Sequence, residues 1–188
     1  MGEMPAGDEG RFADLYEEHR SNVWLYCRRR VGADRADDVM GDVFLTVWRR
    51  IDDAPPAREA LPWLYRIAHL TISNHWRTFG RKRRLKEKAE AMGVSPPVPI
   101  ADQMIVREEV RRVVALIDRL PARDAEILRL AAWEHLNTAQ IASVLDISLD
   151  AAKQRLSRAR KRLATLHEQE KPDGGSSPVF GKEVRGEH

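Results

Sequence analysis

Apolar residues recur at spacings of three and four along most of this chain, a pattern typical of helices that bury one face. The first such stretch runs from Phe12 to a break near Gly32, and the second covers residues 36–51. A third begins at Pro62, where proline suits the first turn of a helix, and continues to about Arg84. No stretch alternates apolar and polar residues as a half-buried strand does, so the sequence predicts an all-α protein.

Breaks in this pattern divide the 188 residues into domains. The segment 85–104 contains VSPPVP and little periodicity, and the C-terminal tail is polar and rich in glycine, which is typical of disordered chain. We therefore expect two small helical domains joined by a flexible linker. The expected boundaries are a disordered N-terminus at 1–11, a first domain at 12–84, the linker at 85–104, a second domain at 105–167 and a disordered tail at 168–188.

The pattern of residues 137–163 predicts a helix-turn-helix. Asn137 is placed to cap the first helix together with Gln140, three residues later. Asp146 begins the turn, and Ser148 is placed to cap the second helix. One face of the second helix is small and apolar, and the rest of its surface carries Lys153, Gln154, Arg155, Ser157, Arg158, Lys161 and Arg162. Such side chains fit phosphates and guanine edges in a major groove, and the alternative is a solvated basic face on an ordinary helical hairpin.

A row of carboxylates lies on the second predicted helix. The net charge of the chain is only +3, but residues 34–53 carry six acids against three bases. Steps of four place three of these acids in one row, opposite the apolar face of the helix: Asp34, Asp38 and Asp42. Like charges at this spacing oppose helix stability, so the row is either a solvated face or a docking surface for a basic partner.

Aromatic rings alternate with cations in residues 62–84. Leu64, Ile67 and Ala68 form an inward stripe, and the polar side carries Arg66, His69, Ser73, Trp76 and Arg77, followed by a basic run that includes Arg81. Rings and cations together suit single-stranded nucleic acid, because each base offers a face for stacking and each nucleotide a phosphate. The alternative places Trp63 and Trp76 in the core and the basic run in solvent.

Several classes of protein are disfavoured by what the sequence lacks. The single cysteine, Cys27, excludes an internal disulfide and a cysteine-rich zinc site. No apolar run reaches membrane-spanning length and the N-terminus has no signal pattern, so we expect a cytoplasmic protein. No paired nucleophile and base, phosphate loop or metal-ligand set is apparent, so we expect no enzyme activity, no catalytic residue, no metal and no cofactor.

The order of these segments resembles a bacterial RNA polymerase sigma factor of the extracytoplasmic-function group (ECF, group 4) of the sigma-70 family, which has only the second and fourth sigma regions. The similarity covers about residues 12–166. DDVMGDVFLTVWRR looks like the core-binding helix, and PWLYRIAHLTISNHWR looks like the segment that melts DNA and reads the −10 element. LPARDAEILRL together with AQIASVLDISLDAAKQRLSRARKRL looks like the domain that reads the −35 element.

The resemblance implies a role for each segment. Core polymerase would be bound by Asp34, Asp38, Asp42 and Arg49. The −10 element would be contacted and melted by Trp63, Arg66, Asn74, Trp76, Arg77 and Arg81, beside a loop at 52–61 that captures a flipped base. The −35 element would be read by Lys153, Gln154, Arg155, Ser157, Arg158 and Arg162. The implied partners are core RNA polymerase, promoter DNA and an anti-sigma factor, with no small-molecule substrate and no direct membrane insertion.

A rival interpretation is a helix-turn-helix regulator whose N-terminal domain senses a ligand or dimerises. It explains residues 137–163 equally well, but it gives no role to the acidic row or to the segment rich in Trp and Arg. The chain also departs from the family pattern, because Gly41 stands where members usually carry Gln and Asp146 replaces a frequent turn glycine. Trp63 is followed by Leu64, whereas primary sigma factors have two adjacent tryptophans there, so we expect this protein to melt fewer promoters.

Overall fold

Seven α-helices account for almost all of the described structure, a computed structural model that covers residues 6–87 and 108–170, with side chains at 7–77 and 111–170. They are α1 (Ala6–Val31), α2 (Ala33–Arg49), α3 (Ala57–Glu87), α4 (Glu108–Asp118), α5 (Ala122–Ala132), α6 (Thr138–Leu145) and α7 (Leu149–Glu170), with a 3₁₀ turn at Ile51–Asp53. No strand occurs in these residues, and the prediction of an all-α fold is confirmed.

The N-terminal domain consists of α1, α2 and α3 packed against one another. Gly32 separates the first two helices with a φ of +84°, a left-handed conformation that glycine adopts without steric cost, and this lets α2 fold back along α1. Val23 and Tyr26 of α1 are fully buried, as are Val43 of α2 and Leu64 of α3. Each helix therefore contributes one apolar face to a shared core, as its spacing predicts.

The C-terminal domain consists of α4 to α7, and its last two helices form the predicted helix-turn-helix. Asn137 Oδ1 accepts a hydrogen bond from Gln140 N at 3.0 Å, and Gln140 Oε1 accepts one from Asn137 N at 2.9 Å. Asp146 ends α6 in the left-handed region, with φ 55° and ψ 50°. Ser148 Oγ accepts a hydrogen bond from Ala151 N at 3.1 Å. Both caps and the turn were predicted from the residues and are confirmed.

The start of α1 corrects one predicted boundary. Residues 6–11 form the first turns of α1, although they were expected to be disordered. The ring of Phe12 lies edge-on to that of Trp48 with centroids 5.0 Å apart, and Arg11 Nη2 donates to Ala54 O at 3.4 Å. These contacts join the beginning of α1 to the end of α2 and the chain that follows it, which explains why the helix extends beyond the apolar pattern.

The start of α3 corrects a second boundary. α3 begins at Ala57, five residues before the predicted start at Pro62. Its first turn follows Pro56, whose carbonyl accepts a hydrogen bond from the third residue of the helix at 2.8 Å. Pro62 is the sixth residue of α3, where it has no N–H to donate to the preceding turn. Of the predicted loop 52–61, only residues 52–56 precede α3.

The expected linker and tail lie largely outside the described residues. Of the segment 85–104, residues 85–87 belong to α3 and the rest is not described. At the C-terminal side, α7 continues to Glu170, so the first three residues of the segment 168–188 are helical rather than disordered. Leu166 packs against the apolar core and Glu170 pairs with Arg119, which follows α4, so contacts within the C-terminal domain extend α7 to this point.

The two domains are in direct contact, which the sequence did not predict. Helix α3 of the N-terminal domain packs against α6 of the C-terminal domain. Buried apolar side chains of both domains form one contiguous cluster that includes Ile67 and Ile72 of α3 and Ile141 and Val144 of α6. The helix-turn-helix therefore lies beside the helix predicted to read the −10 element.

Candidate nucleic-acid interface

The outward face of α7 carries residues predicted to read DNA. Ala152, Leu156 and Ala159 are buried and fix the orientation of α7 against α5 and α6. Four exposed side chains line an open groove on the other side of the helix: Lys153, Gln154, Ser157 and Arg158. This surface offers cations to phosphate and the paired donors of arginine to the O6 and N7 atoms of guanine.

Arg162 differs from these residues because it has a partner inside its own domain. Its guanidinium pairs with the carboxylate of Asp124 on α5, and the Asp124 side chain is only 10% exposed. Arg155, also predicted to contact DNA, is half-buried. Arg162 therefore joins α7 to α5, a structural role that the sequence pattern did not reveal.

Part of the predicted −10 surface is exposed on the second half of α3. Asn74 and Arg77 are exposed, and Arg77 Nη2 donates to Asn74 Oδ1 at 2.9 Å. Trp76 is half-buried, with the guanidinium of Arg35 5.2 Å from the centroid of its ring. The backbone of Arg81 belongs to α3, and its side chain lies outside the described residues.

The rest of the predicted −10 surface faces other parts of the protein. Arg66 Nη1 donates to Ser143 O at 2.8 Å, and Arg66 Nη2 pairs with Asp146 at 2.9 Å. Both acceptors belong to the helix-turn-helix. Trp63 is half-buried and packs against the apolar core, as the alternative interpretation of this residue expected.

The outer face of α2 carries the predicted core-binding residues, all of them exposed: Asp34, Asp38, Asp42 and Arg49. Leu45 lies on the same helix and is 47% exposed, unusual for a large apolar side chain. Asp42 Oδ2 is 2.8 Å from His75 Nε2, so this acid also joins α2 to α3. Acids that surround an exposed apolar residue suit a partner that is basic at its rim and apolar at its centre.

The described helices, 6–87 and 108–170, include none that is long and apolar enough to cross a membrane. In the same part of the chain, no group of three or more His, Cys, Asp or Glu side chains is placed to hold a metal ion. Cys27 is fully buried, and burial raises the pKa of its thiol to about 12, so the thiol stays protonated.

Both domains of this chain are similar in sequence to known proteins. The family model for sigma-70 region 2 matches residues 15–83, and the model for sigma-70 region 4 matches residues 111–163. The RNA polymerase sigma factor CnrH of Cupriavidus metallidurans is 32% identical over 170 residues, which cover 86% of this chain and 88% of that protein. The ECF RNA polymerase sigma factor SigK of a Mycobacterium species is 30% identical over 152 residues, 79% of each chain. The chain is an ECF sigma factor of the sigma-70 family.

The N-terminal domain is region 2 of this sigma factor, and the C-terminal domain is region 4. Among solved structures, the fold is similar to that of the sigma factor RpoE in its complex with the anti-sigma factor NepR from Bartonella quintana. The TM-score is 0.65 at 19% identity, with 85% of this chain and 98% of that chain covered. The family that the motifs predicted is confirmed.

A buried ionic cluster joins region 2 of the sigma factor to region 4. Arg30 of α1 donates through Nε to Glu126 Oε1 and through Nη1 to Glu134 Oε1, each at 3.0 Å. Tyr26 donates its hydroxyl to Glu126 Oε1 at 3.1 Å, and Arg29 Nη1 donates to Glu134 Oε2 at 3.3 Å. The side chains of Arg30 and Glu134 are 6% and 3% exposed. We call these five residues the interdomain cluster.

The charges in the interdomain cluster depend on one another. Burial alone would raise the pKa of Glu126, but the positive charge of Arg30 and hydrogen bonds from His69 and Arg30 lower it to about 2. Burial alone would lower the pKa of Arg30, but Tyr26, Glu126 and Glu134 together raise it above its ordinary value. Both groups are therefore charged at neutral pH, and each requires the other because neither is solvated by bulk water.

Proposed function

We propose that this sigma factor binds core RNA polymerase and directs initiation at promoters that carry a −35 and a −10 element. The observation that carries this proposal is the occurrence of regions 2 and 4 in one chain, with a cationic reading face exposed on α7. The alternative interpretation as a helix-turn-helix regulator accounts for region 4 but assigns no function to region 2. In the proposed role the protein is an initiation factor and not an enzyme, and it acts in the cytoplasm.

In region 4, the N-terminal half of α7 is proposed to read the −35 element. Lys153, Gln154 and Arg158 present their donors on the open groove, where arginine fits guanine best. Lys161 and Arg162 lie further along the helix, where contacts to phosphate would orient the domain without reading sequence. The buried face of α7 supports this assignment, because it leaves only this side of the helix free to enter a groove.

In region 2, two neighbouring surfaces of the domain are proposed to have different partners. The second half of α3 would contact the −10 strand through Asn74, Trp76 and Arg77, which combine a ring for stacking with polar groups and a cation. The exposed acids of α2, with Leu45 between them, would dock on a basic surface of core polymerase. The two surfaces adjoin where Asp42 of α2 lies 2.8 Å from His75 of α3, so DNA and polymerase would bind neighbouring parts of region 2.

An anti-sigma factor is a further proposed partner. The fold of this chain is similar to that of RpoE, whose solved structure is a complex with the anti-sigma factor NepR. A partner that covered the outer face of α2 would remove the exposed acids and Leu45 from competition for core polymerase. Such a partner should be released before initiation begins.

Run-off transcription with purified core polymerase on a promoter library tests the proposed function. We expect transcripts from a subset of promoters only when the sigma factor is added. Arg158→Ala should reduce this transcription, whereas Arg123→Ala, which removes an exposed cation from α5, should leave it unchanged. Specific DNA binding without any transcription that depends on core polymerase would contradict the proposal and favour the regulator.

A further inference from the structure

We propose that Leu70 of α3 reads one base of the −10 strand through the C5 methyl group of thymine. The inference rests on the proposed function and deepens it, because it assigns a base preference to one residue of the surface that would contact this strand. The preference would come from an apolar contact, made by a leucine that lies between polar and charged side chains.

The packing of α3 turns Leu70 outward. Ile67 and Ile72 of the same helix are buried in the apolar core, and together they fix the rotation of α3 about its axis. Leu70 is 42% exposed and lies outside the apolar core that the described residues form. A leucine this accessible still has apolar surface to bury, so contact with an apolar group of a ligand would be favourable.

The neighbours of Leu70 distinguish it from an ordinary exposed leucine, which is common on protein surfaces. Residues four apart on a helix share a face, and this face carries Arg66 one turn before Leu70 and Asn74 one turn after it. Arg77 lies on the same face, and its Nη2 donates to Asn74 Oδ1 at 2.9 Å. Arg66, Asn74 and Arg77 are predicted to contact the −10 strand. A strand that contacts both Arg66 and Asn74 must pass over Leu70.

The spacing along α3 allows Leu70 to contact a nucleotide of its own. Leu70 and Asn74 are four residues apart in a continuous helix, a separation of about 6 Å along its axis. Stacked bases in one strand of a duplex are only about 3.4 Å apart, and the bases of an unstacked strand lie further apart than this. In a melted strand, Leu70 and Asn74 would therefore face different nucleotides.

The chemistry of leucine selects thymine among the four bases. Its side chain has no hydrogen-bond donor or acceptor, so it cannot distinguish bases by the polar groups on their edges. The C5 methyl group of thymine is the apolar group that a base edge offers, and apolar side chains recognise it by contact. Burial of one methyl group changes affinity about fourfold, so we expect thymine to be preferred by about this factor over the same base without its methyl group.

Promoter binding by the holoenzyme tests the inference. Core polymerase with the full-length sigma factor is bound to a promoter from the run-off library whose −10 region is held open by mismatches. At each −10 position of the non-template strand, thymine is compared with deoxyuridine, which has the same polar groups but lacks the methyl group. We expect the wild type to prefer thymine about fourfold at one position. The same position should prefer 5-methylcytosine to cytosine, because these bases differ by the same methyl group.

Variants of Leu70 separate a methyl contact from a general loss of binding. Leu70→Ala should remove the difference between thymine and deoxyuridine at that position, because the shorter side chain no longer reaches the methyl group. Leu70→Met should retain the difference, since methionine is apolar and of similar volume. Leu25→Ala truncates a leucine of α1 that is 39% exposed, and it should leave the difference unchanged. Each result is a ratio of two affinities of one protein, so partial unfolding or weaker core binding affects both and cancels.

Three results would overturn the inference. Equal affinity of the wild type for thymine and deoxyuridine at every −10 position would show that no methyl group is read. A preference for thymine that persists in Leu70→Ala would assign the contact to another residue, and a preference that Leu25→Ala also removes would show that the effect is not specific to Leu70. In all three cases, binding of the promoter by the holoenzyme would still support the proposed function. A holoenzyme that binds no promoter would refute the proposed function and this inference together.

Discussion

The pairing of Arg162 with Asp124 predicts that two neighbouring cations on α7 differ in what they do. The Asp124 side chain is 10% exposed and that of Arg162 is 56% exposed. A nearly buried carboxylate that loses its charged partner costs about 1–3 kcal/mol, and the solvent around Arg162 reduces this to about 1–2 kcal/mol. Arg162→Ala should therefore lower the melting temperature of region 4 by roughly 5–15 °C. Lys161→Ala, an exposed truncation on the same turn, should change its stability by less than about 0.5 kcal/mol.

Urea and thermal unfolding of the full-length protein measure this difference, and hydrogen exchange of α5 and α7 locates it. A double-mutant cycle with Asp124→Asn isolates the pair, and we expect a coupling of about 1 kcal/mol. In DNA binding, both truncations should reduce the dependence of affinity on salt by about one phosphate contact. Equal stability of Arg162→Ala and Lys161→Ala, or a coupling near zero, would show that the Asp124 pair has no structural role.

Arg158→Ala should cost about 1–3 kcal/mol of −35 binding and relax base preference at one or two positions. Binding to a set of mutated duplexes measures this, and a uniform loss across sequences would contradict direct reading. Asp38→Lys should abolish capture of core polymerase, whereas Asp14→Lys, which reverses an exposed charge on α1, should leave capture unchanged. If Asp38→Lys still captures core polymerase at physiological salt, the acidic row is a solvated face. Gly41→Ala should stabilise region 2 by about 0.5–1 kcal/mol in urea unfolding, because a Cβ at this mid-helix position meets open space. A lower free energy of unfolding in this variant would contradict the prediction. Because the pKa of Glu126 is lowered to about 2 from 4.5, its contribution to the contact between regions 2 and 4 should be complete above pH 4.5 and lost as the pH falls toward 2. The distance between spin labels at Ala13→Cys and Ala164→Cys, two exposed positions on α1 and α7, should lengthen in that window, and an unchanged distance at pH 2 with intact helices would refute this.

The sequence predicted those features that depend on neighbouring residues and missed those that depend on distant ones. The capping box of Asn137 and Gln140 joins residues three apart, so its residue types alone indicate it. The start of α3 was misplaced because the rule that favours proline in a first turn was applied to Pro62, although an earlier pair of prolines sets the boundary. Arg30 and Glu126 are 96 residues apart, and no local pattern connects them. Arg30 is one of three consecutive arginines in the sequence, and only its ion pairs with Glu126 and Glu134 in the folded protein show that it is the buried one.

Asp146 connects the stability of the helix-turn-helix to the contact between regions 2 and 4, so one substitution changes both. Its left-handed backbone gives the helix-turn-helix its bend, and glycine would adopt this conformation at about 1 kcal/mol less strain. Its carboxylate also binds Arg66 across the regions, through a partly exposed ion pair worth about 0–1 kcal/mol. A single-base change in an aspartate codon produces glycine. Such a change would relieve strain in the turn and remove the ion pair with Arg66, so a single point mutation would alter the turn and the interdomain contact together while it leaves the side chains of α7 unchanged.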